Sequence, residues 1–172
     1  SDNGPMHGFY PVTCYSHFRG GKGDVTEGGV RVPAMAWWPG MIEPDQEPID
    51  LLHVSDIFTT LARIGGVKEK IPNDRVTDGI DQAAFMLMGE DHSRRDYMFH
   101  YSGTEIGAIR YGKLKMHIKG MAGGLPQFDM YNIMRDPREE LGDKVGIYPY
   151  LHAPVPFGQL VDLHKYRLLR FN

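Results

Sequence analysis

A chain of 172 residues, 41% hydrophobic and 24% charged, is long enough to bury the core of one soluble globular domain. A net charge of −3 and scattered lysines and arginines, densest at Arg167 and Arg170, give no electrostatic reason for nucleic-acid binding. No apolar run approaches the roughly 18–20 residues that cross a bilayer, and the opening Ser1-Asp2-Asn3-Gly4-Pro5 is not basic and then apolar, as a signal peptide would be.

Residues 1–32 read as loop, with glycine at 4, 8, 20, 21, 23, 28 and 29 and proline at 5 and 11. Long ordered loops are usually functional, so this stretch is expected to be a site loop whose supporting sheet lies upstream. Within it Cys14, the single cysteine, excludes an internal disulfide and any cysteine-based metal cluster. Its neighbours Thr13 and Tyr15 supply no activating motif, and it reads as an inert thiol. The apolar run 32–38, bounded by Pro39-Gly40, predicts a short buried strand with Trp37 and Trp38 in packing roles.

A helix follows, with Ser55 as N-cap, Asp56 in its first turn, an apolar face of Ile57, Phe58, Leu61 and Ile64, and Gly65-Gly66 as its stop. After the polar stretch 68–78, a shorter helix over 81–88 is expected, capped by Asp81 and facing Ala84, Phe85 and Met88 inward. The segments 97–101, 106–111, 113–118 and 128–133 then read as strands. Tyr111-Gly112-Lys113 forms a tight hairpin, and Arg135-Asp136-Pro137-Arg138 closes the last strand. Leu160, Leu163, Leu168 and Phe171 make a rough helical stripe at the end. The organisation expected is α/β, with residues 1–95 as a loop, strand and helix region and 96–172 as a small antiparallel sheet packed by helices.

Two stretches carry chemistry. Asp2 and Asn3 offer a carboxylate and an amide oxygen, hard ligands for Ca²⁺ or Mg²⁺, although Asp-Asn-Gly is also an ordinary turn. In Arg19-Gly20-Gly21-Lys22-Gly23 the glycines let backbone approach a ligand closely beside an ammonium, which suits an oxyanion. By the residues alone, Lys22 is equally a solvated loop lysine. A Walker A loop is excluded, because Gly23 rather than Ser or Thr follows Lys22.

Together these stretches resemble the sulfatase family. The resemblance continues through Glu27-Gly28-Gly29-Val30-Arg31-Val32-Pro33 and Trp38-Pro39-Gly40. It extends to the helix 52–61, to Asp78-Gly79-Ile80-Asp81, to 109–115, and to Met130-Tyr131-Asn132-Ile133 with Asp136-Pro137, so it covers residues 1 to about 141. It implies the C-terminal part of an alkaline-phosphatase-like fold and the hydrolysis of aryl or carbohydrate sulfate esters. The nucleophile would be a formylglycine made from Cys or Ser in a Cys/Ser-x-Pro-x-Arg motif, and the metal Ca²⁺, with Mg²⁺ as the substitute. By position Asp2 and Asn3 match metal ligands, and Lys22 matches the lysine on the sulfate oxygens. The family also makes a periplasmic or secreted location reasonable.

No Cys/Ser-x-Pro-x-Arg occurs in the sequence. The chain is therefore expected to be inactive alone and to be completed by a missing N-terminal part of the same catalytic domain, with no membrane or nucleic-acid partner. Two other functions remain open, a phosphate or phosphonate ester hydrolase of the same superfamily and a non-catalytic accessory domain. Asn3, where such relatives more often carry histidine, favours the sulfatase. Of the remaining polar residues, Arg19 and His17 are candidate substrate contacts, and His7 a nearby loop histidine. Asp24 is expected to bond within the loop and Glu27 to organise Arg31 or the backbone. His100 points to core or cleft, and Met86, Met88 and Met98 fill the core.

Overall fold

The computed structural model describes residues 1–9, 16–89, 92–122, 125–142 and 159–160. Cys14 and most of the terminal apolar stripe lie outside them. The chain forms two compact units, Ser1–Asp2 with Pro33–Met98, and Asn3–Val32 with Phe99–Asn172. The loop from Asn3 to Val32 thus groups with the sheet, and Pro33–Met98 with the helices. Among the described residues no helix is long and apolar enough to cross a membrane.

The run 32–38, all but Val32 in the first unit, forms no regular strand. Met35 is 100% exposed and Trp37 88%, so the expected buried strand is corrected to an exposed apolar ribbon. A strand needs a neighbour to take its backbone hydrogen bonds, and none of the described strands pairs with this segment.

The helix arrives as α2, Val54–Ile64, but with its N-cap two residues earlier and its faces rotated from expectation. Its N-cap is His53, not Ser55: His53 Nδ1 accepts the Ser55 N–H at 3.3 Å while Asp56 accepts the His53 N–H at 2.9 Å. The accepting Nδ1 is unprotonated, and burial, then the nearby Arg95 charge, hold the His53 ring below its ordinary pKa. The apolar residues Val54, Ile57, Phe58 and Leu61 face outward, while Asp56, Thr59 and Thr60 are buried.

Polar bonding explains the inversion. Arg95 grips Asp56 with two nitrogens, Nε at 2.8 Å and Nη2 closer, and its Nη2 also donates to the Asp78 carbonyl at 2.8 Å. The Ile80 N–H donates to Asp56 at 2.7 Å, and the Gln82 N–H to Thr60 Oγ1 at 2.9 Å. Burial alone would raise the Asp56 carboxyl, but the Arg95 fork with the Ile80 and His53 N–H groups brings it below its usual range.

The short helix α3 runs Ala83–Met88 with Gln82, not Asp81, as N-cap, although Asp81 does accept the Ala83 N–H at 3.1 Å. Phe85 is buried as expected. Met88 is 70% exposed and Gly89, at φ 62°, ends the helix.

The second unit is built on a sheet of four strands in the order β1 (Tyr97–Ser102), β2 (Glu105–Tyr111), β3 (Leu114–Ala122) and β4 (Leu125–Asn132). Tyr111 pairs with Leu114 across the predicted hairpin, whose Gly112 adopts φ 52°. A bulge between Ile118 and Gly120 shifts the β3–β4 register. Ala108, Ile109, Met116, Phe128, Tyr131 and Ile133 form its core, and His100 on β1 is buried.

Removing Arg95 would strand a buried carboxylate, which costs about 3–5 kcal/mol. Arg95→Ala should lower the unfolding free energy in urea by that amount. A change under about 1 kcal/mol would mean that the pair is as dispensable as a surface ion pair.

Candidate active site

The described parts of the loop Asn3–Val32 are tied together by backbone bonds at glycines. The Gly4 N–H donates to the Gly29 carbonyl at 2.9 Å, the Lys22 N–H to the Pro5 carbonyl at 2.9 Å, and the Gly28 N–H to the Arg19 carbonyl at 2.8 Å. A side chain at Gly28 would overlap the Arg19 and Gly20 carbonyl oxygens, and one at Gly4 the Gly28 carbonyl. Glycine is required at both by close backbone approach. The turn at residues 21–24 is closed by Asp24, whose N–H donates to the Gly21 carbonyl while its carboxylate accepts the Gly21 N–H, each at 2.9 Å. Lys22 sits at the tip, exposed and without an ion pair among the described residues.

Of the residues singled out from the sequence, Asn3, His17, Arg19 and Lys22 belong to this unit, and the Lys22–Pro5 and Gly4–Gly29 bonds hold the Asn3 segment against the Lys22 loop. Asp2 belongs to the first unit. Arg19 is half-buried with its guanidinium 5.6 Å from the Tyr131 ring centre, and Arg31 stacks on Phe18 at 4.7 Å. His17 is exposed beside a turn in which Ser16 Oγ accepts the Phe18 N–H at 3.1 Å.

Under the loop lies a buried cluster of charges that the sequence pattern did not reveal. The four-residue helix α1, Glu27–Val30, is buried at Glu27, Gly28 and Gly29. Glu27, 1% exposed, meets Lys115 Nζ at 2.9 Å and Arg110 Nη1 at 3.5 Å, with Arg31 at 3.8 Å. Its organising role toward Arg31 is thus the least of three. Glu139, 0% exposed, accepts the Glu27 N–H at 2.7 Å, His117 Nε2 at 2.6 Å and Lys115 Nζ at 3.2 Å. Burial by itself would raise the Glu139 carboxyl. The His117 hydrogen bond, the Lys115 ammonium and the Glu27 N–H outweigh it and hold the group at about 2, against an ordinary 4.5. An ionised carboxylate only accepts, so His117 Nε2 carries the hydrogen between them.

Lys115 and His117 alternate with Leu114 and Met116 along β3, a pattern that reads as a solvated strand face; Glu139 follows the Asp136 turn, where no motif marks it. In the fold, α1 and Glu139 cover that face.

The donor set near the loop suits a hard cation only in part. Asp2 and Asn3 carry oxygens of the right kind, but Ca²⁺ takes about six to eight, and among the described residues no group of three or more His, Cys, Asp or Glu is placed to hold a metal.

No protein-family model matches the chain. Steryl-sulfatase of Rattus norvegicus is 38% identical over 109 residues, which is 63% of this chain. N-acetylgalactosamine-6-sulfatase of Mus musculus is 41% identical over 98 residues, or 57% of it. The crystal structure of PsFucS1 sulfatase from Pseudoalteromonas sp. superposes with a TM-score of 0.80 at 32% identity, covering 98% of this chain. The chain is homologous to the sulfatases. It spans 18% of each of the two curated relatives and 36% of the PsFucS1 chain. Its mixed α/β architecture with a small antiparallel sheet is therefore the arrangement that a sulfatase relative also adopts over the matched region.

Glu139 gives this sulfatase-related chain a pH signature. Its folded pKa is depressed, so its contribution to stability is complete above about 4.5 and is lost as pH falls toward about 2. Acid titration monitored by circular dichroism should show wild type losing stability across that window and Glu139→Gln showing a shallower loss there. Parallel curves would contradict the assignment.

Proposed function

We propose that this chain is one part of a sulfate-ester hydrolase, in which Lys22 binds the sulfate group and opposes the charge that gathers on its oxygens in the transition state. The supporting observation is an exposed ammonium at the tip of a turn whose backbone is fixed on both flanks, in a chain homologous to sulfatases. A cation held in place before reaction loses no reorganisation energy during it, and this is where electrostatic catalysis gains most. Arg19, fixed over Tyr131, and His17 extend the positive and polar edge toward an anionic aryl or carbohydrate substrate. The phosphate and phosphonate alternative has no comparable support, since the named relatives are sulfatases.

Asp2 and Asn3 are proposed as two oxygen ligands of a Ca²⁺, with Mg²⁺ as a possible substitute. When bound, the ion supplies a fixed divalent charge against the sulfate oxygens. The nucleophile, a formylglycine by family resemblance, and the remaining ligands come from residues outside these 172. The exposed apolar surface of the first unit, including Met35, Trp37, Ile57, Phe58 and Leu61, is of the kind that marks an interface. We assign it to the rest of the same catalytic domain. The same kinship favours a periplasmic or secreted setting.

The full-length protein should hydrolyse 4-nitrophenyl sulfate, and Lys22→Ala should lower kcat by roughly 10²–10³-fold. Prolonged chelation with EGTA should abolish turnover and Ca²⁺ should restore it. Preferential hydrolysis of phosphate diesters, or full activity in Lys22→Ala, would sink this reading.

A further inference from the structure

The short helix α1 lacks a local cap. Its N-cap residue Thr26 makes no side-chain capping bond, and a free first-turn N–H in a buried setting is costly. The N–H of Glu27 is instead taken by the carboxylate of Glu139, 112 residues away in sequence, at 2.7 Å. The other oxygen of Glu139 is committed to His117 and Lys115 of β3. Glu139 thus spans from the sheet to the first residue of α1.

What α1 holds is the Lys22 loop. Gly28 N–H donates to Arg19, at the loop's entry, and Gly29 accepts from Gly4, one residue after Asn3. Glu139 itself adopts φ 56°, one of two non-glycine residues among those described in the left-handed region, where a side chain is strained. The Asp136 side chain holds that turn, accepting the N–H groups of Glu140 at 3.1 Å and Leu141 at 2.8 Å. A strained backbone that aims a fully buried carboxylate at one N–H, one ammonium and one imidazole is a device for fixing position.

We propose that Glu139 is a positioning residue for Lys22, a distant cap on α1 that sets the loop geometry from the C-terminal sheet. The catalytic half of this inference rests on the sulfatase reading; the structural half does not. Glu139→Gln is the informative change. One amide oxygen cannot serve both the Glu27 N–H and the Lys115 ammonium, and the amide NH₂ would face a donor.

Hydrogen exchange on the full-length protein comes first. In Glu139→Gln the amides of residues 19–30 should exchange at least ~10-fold faster while those of α2 are unchanged. Unchanged protection at 19–30, or an equal rise in both segments, overturns the proposal. Kinetics on 4-nitrophenyl sulfate should then show kcat reduced ~10–100-fold with KM within ~3-fold, and little further loss when Glu139→Gln is added to Lys22→Ala. Losses that multiply would mean that Glu139 does not act through Lys22. If wild type hydrolyses no sulfate ester, the sulfatase reading fails and hydrogen exchange alone decides whether Glu139 holds the loop. Glu139→Asp, with its charge on a shorter arm, serves the same comparison if the glutamine variant does not fold.

Discussion

Lys115 donates to two buried carboxylates at once, Glu27 at 2.9 Å and Glu139 at 3.2 Å, with no solvent exposure of its own. Two carboxylates in a shared site repel each other, and the ammonium between them offsets that repulsion. With Lys115, Arg110 and the His117 donor in place, each carboxylate meets at least two donors, and the Glu139 carboxyl is held well below its usual range. The desolvation of each ion amounts to several kcal/mol, so the cluster survives only because its geometry is complete. The loop inherits that all-or-none character: α1 stands on Glu27 and Glu139, and Lys22 is presented by backbone bonded to α1.

The first unit uses the same device at smaller scale. Asp56 and Arg95 bury a full charge pair with the Ile80 and His53 N–H groups, and this clasp decides which face of α2 turns inward. Its outward face carries Val54, Ile57, Phe58 and Leu61, all exposed. Covering a Trp, Phe, Leu or Ile is worth about 1.5–3 kcal/mol each, so a cover over several of them would rival the roughly 5–15 kcal/mol net stability of a domain. That imbalance is what a covering surface would relieve.

Much of this was readable from the residues. The glycines at 4, 21, 28 and 29 marked a loop in the sequence, and the structure adds that backbone or side-chain atoms crowd each of them; Gly112 predicted the β2–β3 hairpin and forms it; Gly65 follows the end of α2 as expected. Three errors share one cause. The run 32–38 read as a buried strand, with Trp37 and Trp38 packing in the core or at an interface, Ile57, Phe58 and Leu61 as an inward face, and Met88 as packed, yet Trp37, Trp38, Ile57, Phe58, Leu61 and Met88 are exposed within this chain. Hydrophobicity predicts that a residue is covered, not which chain segment covers it. The opposite error concerns Lys115, His117 and Glu139. Their burial depends on partners 22 to 112 residues apart in sequence, and no local period encodes a charge that is neutralised over that span.

The central claim, that this chain completes a sulfatase site whose nucleophile lies elsewhere in the same polypeptide, is tested most directly by peptide-mapping mass spectrometry of the protein from its natural source. Sequence beyond these 172 residues should contain a Cys/Ser-x-Pro-x-Arg motif, with its first residue converted to formylglycine. A mature protein that begins at Ser1, or one whose additional sequence carries an unmodified Ser or Thr nucleophile, would contradict it.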